Sequence, residues 1–234
     1  MAIDLFLAMT AAEIRANSTL PPRIGWLSCH FSPCGTGLSN LPDRLPPGSL
    51  LILDDLVPWH GHDPERITAQ LQEAVERLQC GNLLLDLQRP GEAGTAAVAK
   101  TLADTFPGRI CVSEPYAKGL DCPVLLPPVP PDVPLEEHLR PWQGRDIWLE
   151  AAPEGMVITL TRSGAERTPL PRWEVPECPQ HDEALHCHYR IDLSPDRAVF
   201  TLLRTKEDLQ ALLEEACSLG VHTAVGLFQE LSPQ

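Results

Sequence analysis

An incomplete (β/α)8 barrel, an α/β fold interrupted by an antiparallel β-hairpin insertion, is the architecture this sequence predicts, and three features predict it. Short apolar runs alternate with amphipathic stretches along most of the chain, the pattern of βα units and a parallel sheet. Several of those runs finish on a carboxylate or its amide, as strands do when they bring polar groups to the mouth of a barrel. Two other stretches, 155–170 and 186–203, alternate at period two around Ser163-Gly164 and Ser194-Pro195-Asp196, which reads as a pair of hairpins.

The elements follow in order. "IDLFLAM" (3–9) reads as a first strand: Asp4 stands where an export signal carries Lys or Arg, and no small-residue cleavage site follows. "RIGWLSCHF" (23–31) and "SLLILDDL" (49–56) are the next two strands. Between them "SPCGTGLSN" (32–40) is glycine-rich but lacks the lysine and spacing of a phosphate cradle, so it reads as a loop; its Cys34 has no activating neighbour. "DPERITAQLQEAVERLQ" (63–79) is a helix: Asp63 caps it, Pro64 suits the first turn, and Ile67, Leu71, Val75 and Leu78 share one stripe. "NLLLDLQ" (82–88) is a strand and "TAAVAKTLADTF" (95–106) the helix after it.

"RICVSEPY" (109–116) and "CPVLLPP" (122–128) are strands only about six residues apart, fewer than the dozen or so a parallel crossover through a helix requires. A helix is therefore missing, and the barrel is abridged. "DIWLEAA" (146–152) precedes the hairpins, which form an insertion over about 153–204 within a single domain spanning 1–234. "TKEDLQALLEEACSLG" (205–220) is a helix with Leu209, Leu212, Leu213 and Ala216 inward and Gly220 as its stop, and "TAVGLFQEL" (223–231) is the last strand.

At 234 residues the chain is long enough for one α/β domain with a sizeable core. With 43% hydrophobic residues but no run near the ~18 that a spanning helix needs, it is expected to be soluble. The net charge of −14, with basic residues scattered, argues against nucleic acid and anionic membranes as partners. Eight cysteines without an export signal point to reduced thiols in a cytoplasm, most of them small buried hydrophobes. The 25 prolines, about twice the usual share, gather at element ends and stiff loops.

The strand ends carry the candidate chemistry. Asp54 and Asp55, Asp86 and Gln88, Glu114 and Tyr116, Glu150, and Gln229 and Glu230 close successive apolar runs. Alternation puts Leu84, Asp86 and Gln88 on one side; if that side is the barrel interior, polar groups converge at its mouth. Strand ends in an acidic chain are also simply solvated. Paired carboxylates in a cleft serve glycoside hydrolysis as acid and base, or as acid and nucleophile. Trp26, Trp59, Trp142 and Trp148 could offer flat faces to a sugar or pack the core.

The amphipathic helix followed by "CGNLLLDLQ" resembles the helix and fourth strand of the chitinase-like glycoside hydrolases, whose strand alternates acids in a pattern of roughly DGxDxDxE ending in the catalytic acid. Against that pattern the chain keeps one aspartate, Asp86, and has Leu84 and Gln88 at the other positions. Gln88 is no acid. The resemblance implies a TIM-like (β/α) barrel that binds sugar without cutting it, as the family's lectin-like members do. A broader likeness to glycosidase barrels implies Glu114 as acid/base and Glu150 as nucleophile.

A second cluster is "CPQHDEALHCH", with Cys178, His181, His186, Cys187 and His188, of which two or three could hold zinc. It lacks paired CxxC spacings. A straight strand puts His186, His188 and Arg190 on one face and Cys187, Tyr189 and Ile191 on the other, so the set cannot converge without a bend. "HGHD" (60–63) offers His60 and His62 beside acids at a strand end, or simply a helix cap at Asp63. No metal and no cofactor are expected.

The leading expectation is a glycosidase-like barrel that binds carbohydrate and can lack catalysis, a pseudoenzyme. Glu114, Glu150 and Asp86 are the candidate catalytic residues, and Asp55, Gln88, Tyr116, Trp148 and Gln229 the candidate substrate contacts. The alternatives are an interaction protein with no active site, whose partner the sequence does not name, and a metal-dependent hydrolase using a His/Cys/Asp cluster.

Overall fold

The computed structural model describes residues 3–33, 37–56, 63–89, 93–171 and 176–232. The chain divides into two compact units. One comprises Asp4–Pro127, Arg145–Leu149 and Thr223–Gln234, the other Met1–Ile3, Pro128–Gly144 and Glu150–His222. In chain order the elements are β1 (Asp4–Met9), α1 (Ala11–Ala16), β2 (Ile24–Phe31), β3 (Leu38–Ser39), β4 (Leu50–Asp54), α2 (Pro64–Leu78), β5 (Asn82–Asp86) and α3 (Ala93–Thr105). They continue as β6 (Ile110–Ser113), α4 (Glu114–Ala117), β7 (Val124–Leu126), α5 (Leu135–Leu139), β8 (Ile147–Glu150), β9 (Gly155–Thr161) and β10 (Gly164–Pro169). The last are β11 (Gln180–Asp182), β12 (Cys187–Ser194), β13 (Arg197–Leu203), α6 (Lys206–Ser218), β14 (Thr223–Leu227) and α7 (Phe228–Leu231).

The eight expected parallel strands close into a ring. Their order is β1-β14-β8-β7-β6-β5-β4-β2, completed by parallel pairing of β1 with β2, while β3 adds an antiparallel edge to β2. Apolar runs make these strands because both faces are covered: every residue of β4 is buried, as are Leu83–Leu85 of β5 and all of β6. The interior is filled by alternate residues, among them Phe6, Ala8, Leu50, Ile52, Leu84, Cys111, Leu125, Trp148 and Val225. Phe6 and Trp148 stack with centroids 6.3 Å apart and planes 8° from parallel.

The strand termini depart from the sequence expectation. The run expected to reach 116 stops at Ser113, and the one expected to reach 231 stops at Leu227, each passing into a single helical turn. Pro115 explains the first: it has no N–H for a ladder, and its fixed φ suits the opening of α4. The expected gap in the helix pattern between β6 and β7 holds only that one turn. The crossover from β2 to β4 is also shortened; among the described residues it contains β3 and no helix. α2 forms as its pattern predicts, with Asp63 accepting from the Arg66 N–H at 3.0 Å, and Ile67, Leu71, Val75 and Leu78 buried.

The second unit carries a five-stranded antiparallel sheet in the order β10-β9-β13-β12-β11. The two expected hairpins are β9–β10 and β12–β13, and a third, β11–β12, lies in the polar run around 180–188. Arg204, 1% exposed, donates from Nε to the His186 carbonyl at 3.1 Å and from its terminal nitrogens to the carbonyls of Leu185 at 2.9 Å and of Val129. α6 opens on a capping box, in which Thr205 and Asp208 each bond the other's backbone N–H. Among the described residues no helix is long and apolar enough to cross a membrane.

Candidate functional site

The alternation that fills the barrel interior also builds a polar floor at its downstream end. On β4 the inward series Leu50, Ile52 continues to Asp54, and on β5 Leu84 continues to Asp86. Asp54 and Asp86 are register partners on adjacent parallel strands, and His30 of β2 is the partner of Asp54 on its other side. His30, Asp54 and Asp86 therefore form one layer across three neighbouring strands. Above it lies a cavity of about 400 Å³ whose lining also takes in Thr10, Leu27, Ser28, Asp55, Leu56 and Gln88.

Hydrogen bonds fix this layer. His30 Nδ1 lies 2.7 Å from Asp54 Oδ1, which also accepts from the Leu56 N–H at 3.0 Å. Gln88 Nε2 donates to Asp86 Oδ1 at 2.5 Å. Burial pushes the Asp86 carboxyl above its ordinary range, the Gln88 bond pulls the other way, and the neighbouring Asp54 and Asp55 add to the rise. Asp55, 2% exposed, is engaged by main chain: its two oxygens accept from the N–H groups of Gln88 at 2.9 Å and Arg89 at 3.0 Å. Arg89 returns bonds to the carbonyls of Asp55 at 2.7 Å and Leu56 at 2.8 Å, so the chain after β5 is latched to the chain after β4. Buried Ser113 completes the latch, accepting from the Leu87 N–H and donating to its carbonyl, both at 2.8 Å.

Of the expected site residues, the cavity takes in Asp55, Asp86 and Gln88. Glu114 is exposed as the first residue of α4, and the Tyr116 hydroxyl donates to the Arg89 carbonyl. Trp148 is 6% exposed and packs inside the barrel on Phe6. Glu150 ends β8, half-buried; Gln229 is exposed on α7. Trp26 is buried, its Nε1 donating to the Asn40 carbonyl at 3.0 Å, and Trp142 is half-buried in the 3-10 turn Arg140–Trp142. Trp59, His60, His62 and Cys34 lie outside the described residues. Sequence reasoning passed over His30, Thr10 and Ser28. The available signal for His30 was its place near the end of an apolar strand, but a register irregularity between Trp26 and Cys29 breaks the simple alternation there.

No known family model matches the chain, and no curated protein matches it in sequence. Solved structures do. The spore cortex-lytic enzyme SleL of Bacillus cereus superposes with a TM-score of 0.57 at 8% identity, over 96% of this chain and 70% of that one. A Glu-to-Gln mutant of the class V chitinase of Nicotiana tobaccum, in complex with NAG4, gives 0.58 at 9% identity over 97% and 93%. The chitinase-like agglutinin RobpsCRA of Robinia pseudoacacia gives 0.60 at 11% identity over 94% and 93%. At these identities the likeness is one of fold: the chain folds as a (β/α)8 barrel like those of the chitinase-like proteins.

Proposed function

We propose that the barrel mouth is a carbohydrate-binding site without hydrolytic activity, and that its ligand is a short oligosaccharide of the NAG type. The observation that carries this reading is the polar layer His30, Asp54 and Asp86, roofed by Gln88, beneath a cavity of about 400 Å³. Such a layer offers what a sugar needs: convergent acceptors and donors for hydroxyl and amide groups, beside apolar surface from Leu27 and Leu56. Cleavage needs more. A glycosidic oxygen leaves only when an acid protonates it, and the amide of Gln88 holds no acidic proton to give.

Two of the similar folds support the reading, since one belongs to an agglutinin and another to a chitinase mutant in complex with NAG4. Asp86 and Gln88 are assigned the central contacts, with His30 and Asp54 beside them. Asp55 is assigned to holding the Gln88 backbone, because main-chain donors already occupy its carboxylate. Glu114 and Glu150 are left outside the binding constellation.

Calorimetric titration with NAG4, together with a hydrolysis assay on nitrophenyl NAG glycosides, tests the assignment. Saturable binding without nitrophenol release is expected, with Asp86→Ala binding at least about tenfold more weakly, the loss of one charge-assisted hydrogen bond, and Glu114→Gln and Glu150→Gln binding as the parent does. Undiminished binding by Asp86→Ala would place the ligand elsewhere. Hydrolysis by the parent that Glu114→Gln or Glu150→Gln abolishes would replace this reading with an enzyme using those acids.

A further inference from the structure

We propose that His181, His188 and Asp208 form a binding site for a divalent transition-metal ion of the Zn2+ class, lying wholly within the second unit. The three residues come from three elements. His181 on β11 and His188 on β12 are direct cross-strand partners, so antiparallel pairing sends both imidazoles from the same face of the sheet. Asp208 stands in the first turn of α6.

The donor atoms stand near coordinating separation. His181 Nε2 is 3.0 Å from Asp208 Oδ1, His188 Nδ1 is 2.9 Å from Oδ2, and one ligand atom from each residue lies within 4.8 Å of the others. Ligands bonded to one ion at ~2.1 Å stand about 3.0–3.4 Å apart along the edges of an octahedron or tetrahedron. Ion entry therefore asks for a small rotation of two rings and no rebuilding of the backbone. Each ring nitrogen that now shares a proton with the carboxylate would present its lone pair instead, the proton moving to the other ring nitrogen or to solvent.

The surroundings suit a metal site. Thr205 donates to Asp208 Oδ2 from both its backbone N–H and its hydroxyl, each at 2.9 Å, and these bonds set the carboxylate's orientation as outer-shell partners of metal ligands do. Asp208 is 6% exposed at its side chain, whereas His181 and His188 are 39% and 38% exposed, so the open side faces solvent and water can complete the coordination. Two imidazoles with one carboxylate select Zn2+, Ni2+ or Cu2+ over Mg2+ or Ca2+, which take oxygen.

The rest of the local histidine and cysteine run is engaged elsewhere. His186, at φ 47 ahead of β12, is 2.5 Å from Glu215. The Cys187 thiol is fully buried against the Pro131 carbonyl, and the Cys178 thiol meets the Thr201 carbonyl. The ligand set is thus two residues of that run joined to an aspartate that follows His188 by 20 residues and His181 by 27. A bound ion would clip the β11–β12 hairpin to the start of α6.

The test uses the tag-free full chain, stripped with chelator and titrated with ZnCl2 by calorimetry, with thermal unfolding followed in parallel. One saturable equivalent and a raised unfolding midpoint are expected. His181→Ala and His188→Ala, at partly exposed positions, should fold and lose at least about 100-fold in affinity. Thr205→Val, which keeps the N–H but removes the hydroxyl from Asp208, should lose about 10–100-fold. His186→Ala should bind as the parent does. Absence of saturable binding in the parent, or binding that survives in both His181→Ala and His188→Ala, overturns the proposal and leaves the three residues as a hydrogen-bonded clasp.

Discussion

Replacing Gln88 with glutamate probes the candidate site most directly, because it exchanges a hydrogen-bond donor to Asp86 for a second carboxylate. The 2.5 Å bond from Gln88 Nε2 is lost, and a bond to a charged acceptor contributes about 1.5–3 kcal/mol, the lower end applying to an exposed side chain such as this. Two carboxylates about 4 Å apart repel by about 1 kcal/mol in water and about 4 kcal/mol at an effective dielectric near 20. With Asp86 half-buried and residue 88 exposed, about 2 kcal/mol is the appropriate middle value.

The variant should therefore be less stable than the parent by about 3–4 kcal/mol at pH 7, which lowers the unfolding midpoint by roughly 6–16 °C in a chain of this size. The repulsive part depends on pH. The pair's folded pKa rises above that of the unfolded chain, so this cost is absent below the unfolded carboxylate range and grows as pH climbs through the folded value. Thermal unfolding of Gln88→Glu and Gln88→Met at pH 4 to 8 separates the parts, since methionine removes the donor without adding charge. The glutamate variant should approach the methionine variant near pH 4 and fall below it by about 2 kcal/mol at pH 7. Equal deficits at every pH would refute the contact between residues 88 and 86.

Asp86→Asn removes a carboxyl whose pKa is raised mainly by burial; it should stabilise the protein at pH 7, and the gain in unfolding midpoint should shrink once pH falls below the raised folded value and vanish below the ordinary aspartate range. Trp148→Ala opens a cavity beside Phe6 inside the barrel and should cost about 3–5 kcal/mol in denaturant unfolding. Arg204→Met strips the donors from the carbonyls of Val129, Leu185 and His186 and should destabilise by at least about 3 kcal/mol in the same assay. Cys29, pushed up to about 12 by burial, and the fully buried Cys111 should resist a thiol reagent until the protein unfolds, while the half-exposed Cys217 should react in the native state.

Much of this structure was legible along the chain. Runs such as 49–56 and 82–88 can bury themselves only as covered parallel strands, and each of the eight expected strands is present within a few residues of its predicted bounds. Their ends were less legible, because an apolar pattern does not say where the ladder stops. Glu114 and Gln229, expected at strand tips, sit on one-turn helices instead. Asp86 and Gln88 were legible as neighbours because alternation along a single strand places them on one side, and both line the cavity. His30 was not legible beside them, since its place in the layer follows from β2 lying beside β4. β11 was hidden likewise, being too polar and short to show a period.

Sequence by itself determined which segments become the eight barrel strands, which face of α2 is buried, and that a glutamine stands two residues after Asp86 where the similar family's pattern carries an acid. Those properties are local, set by the spacing of apolar side chains over a few residues. Tertiary structure alone decided that His30, Asp54 and Asp86 share one layer, and that His181 and His188 meet Asp208. Such meetings depend on which strand pairs with which and in what register, and the energy that selects a pairing is spread over contacts between segments far apart in the chain.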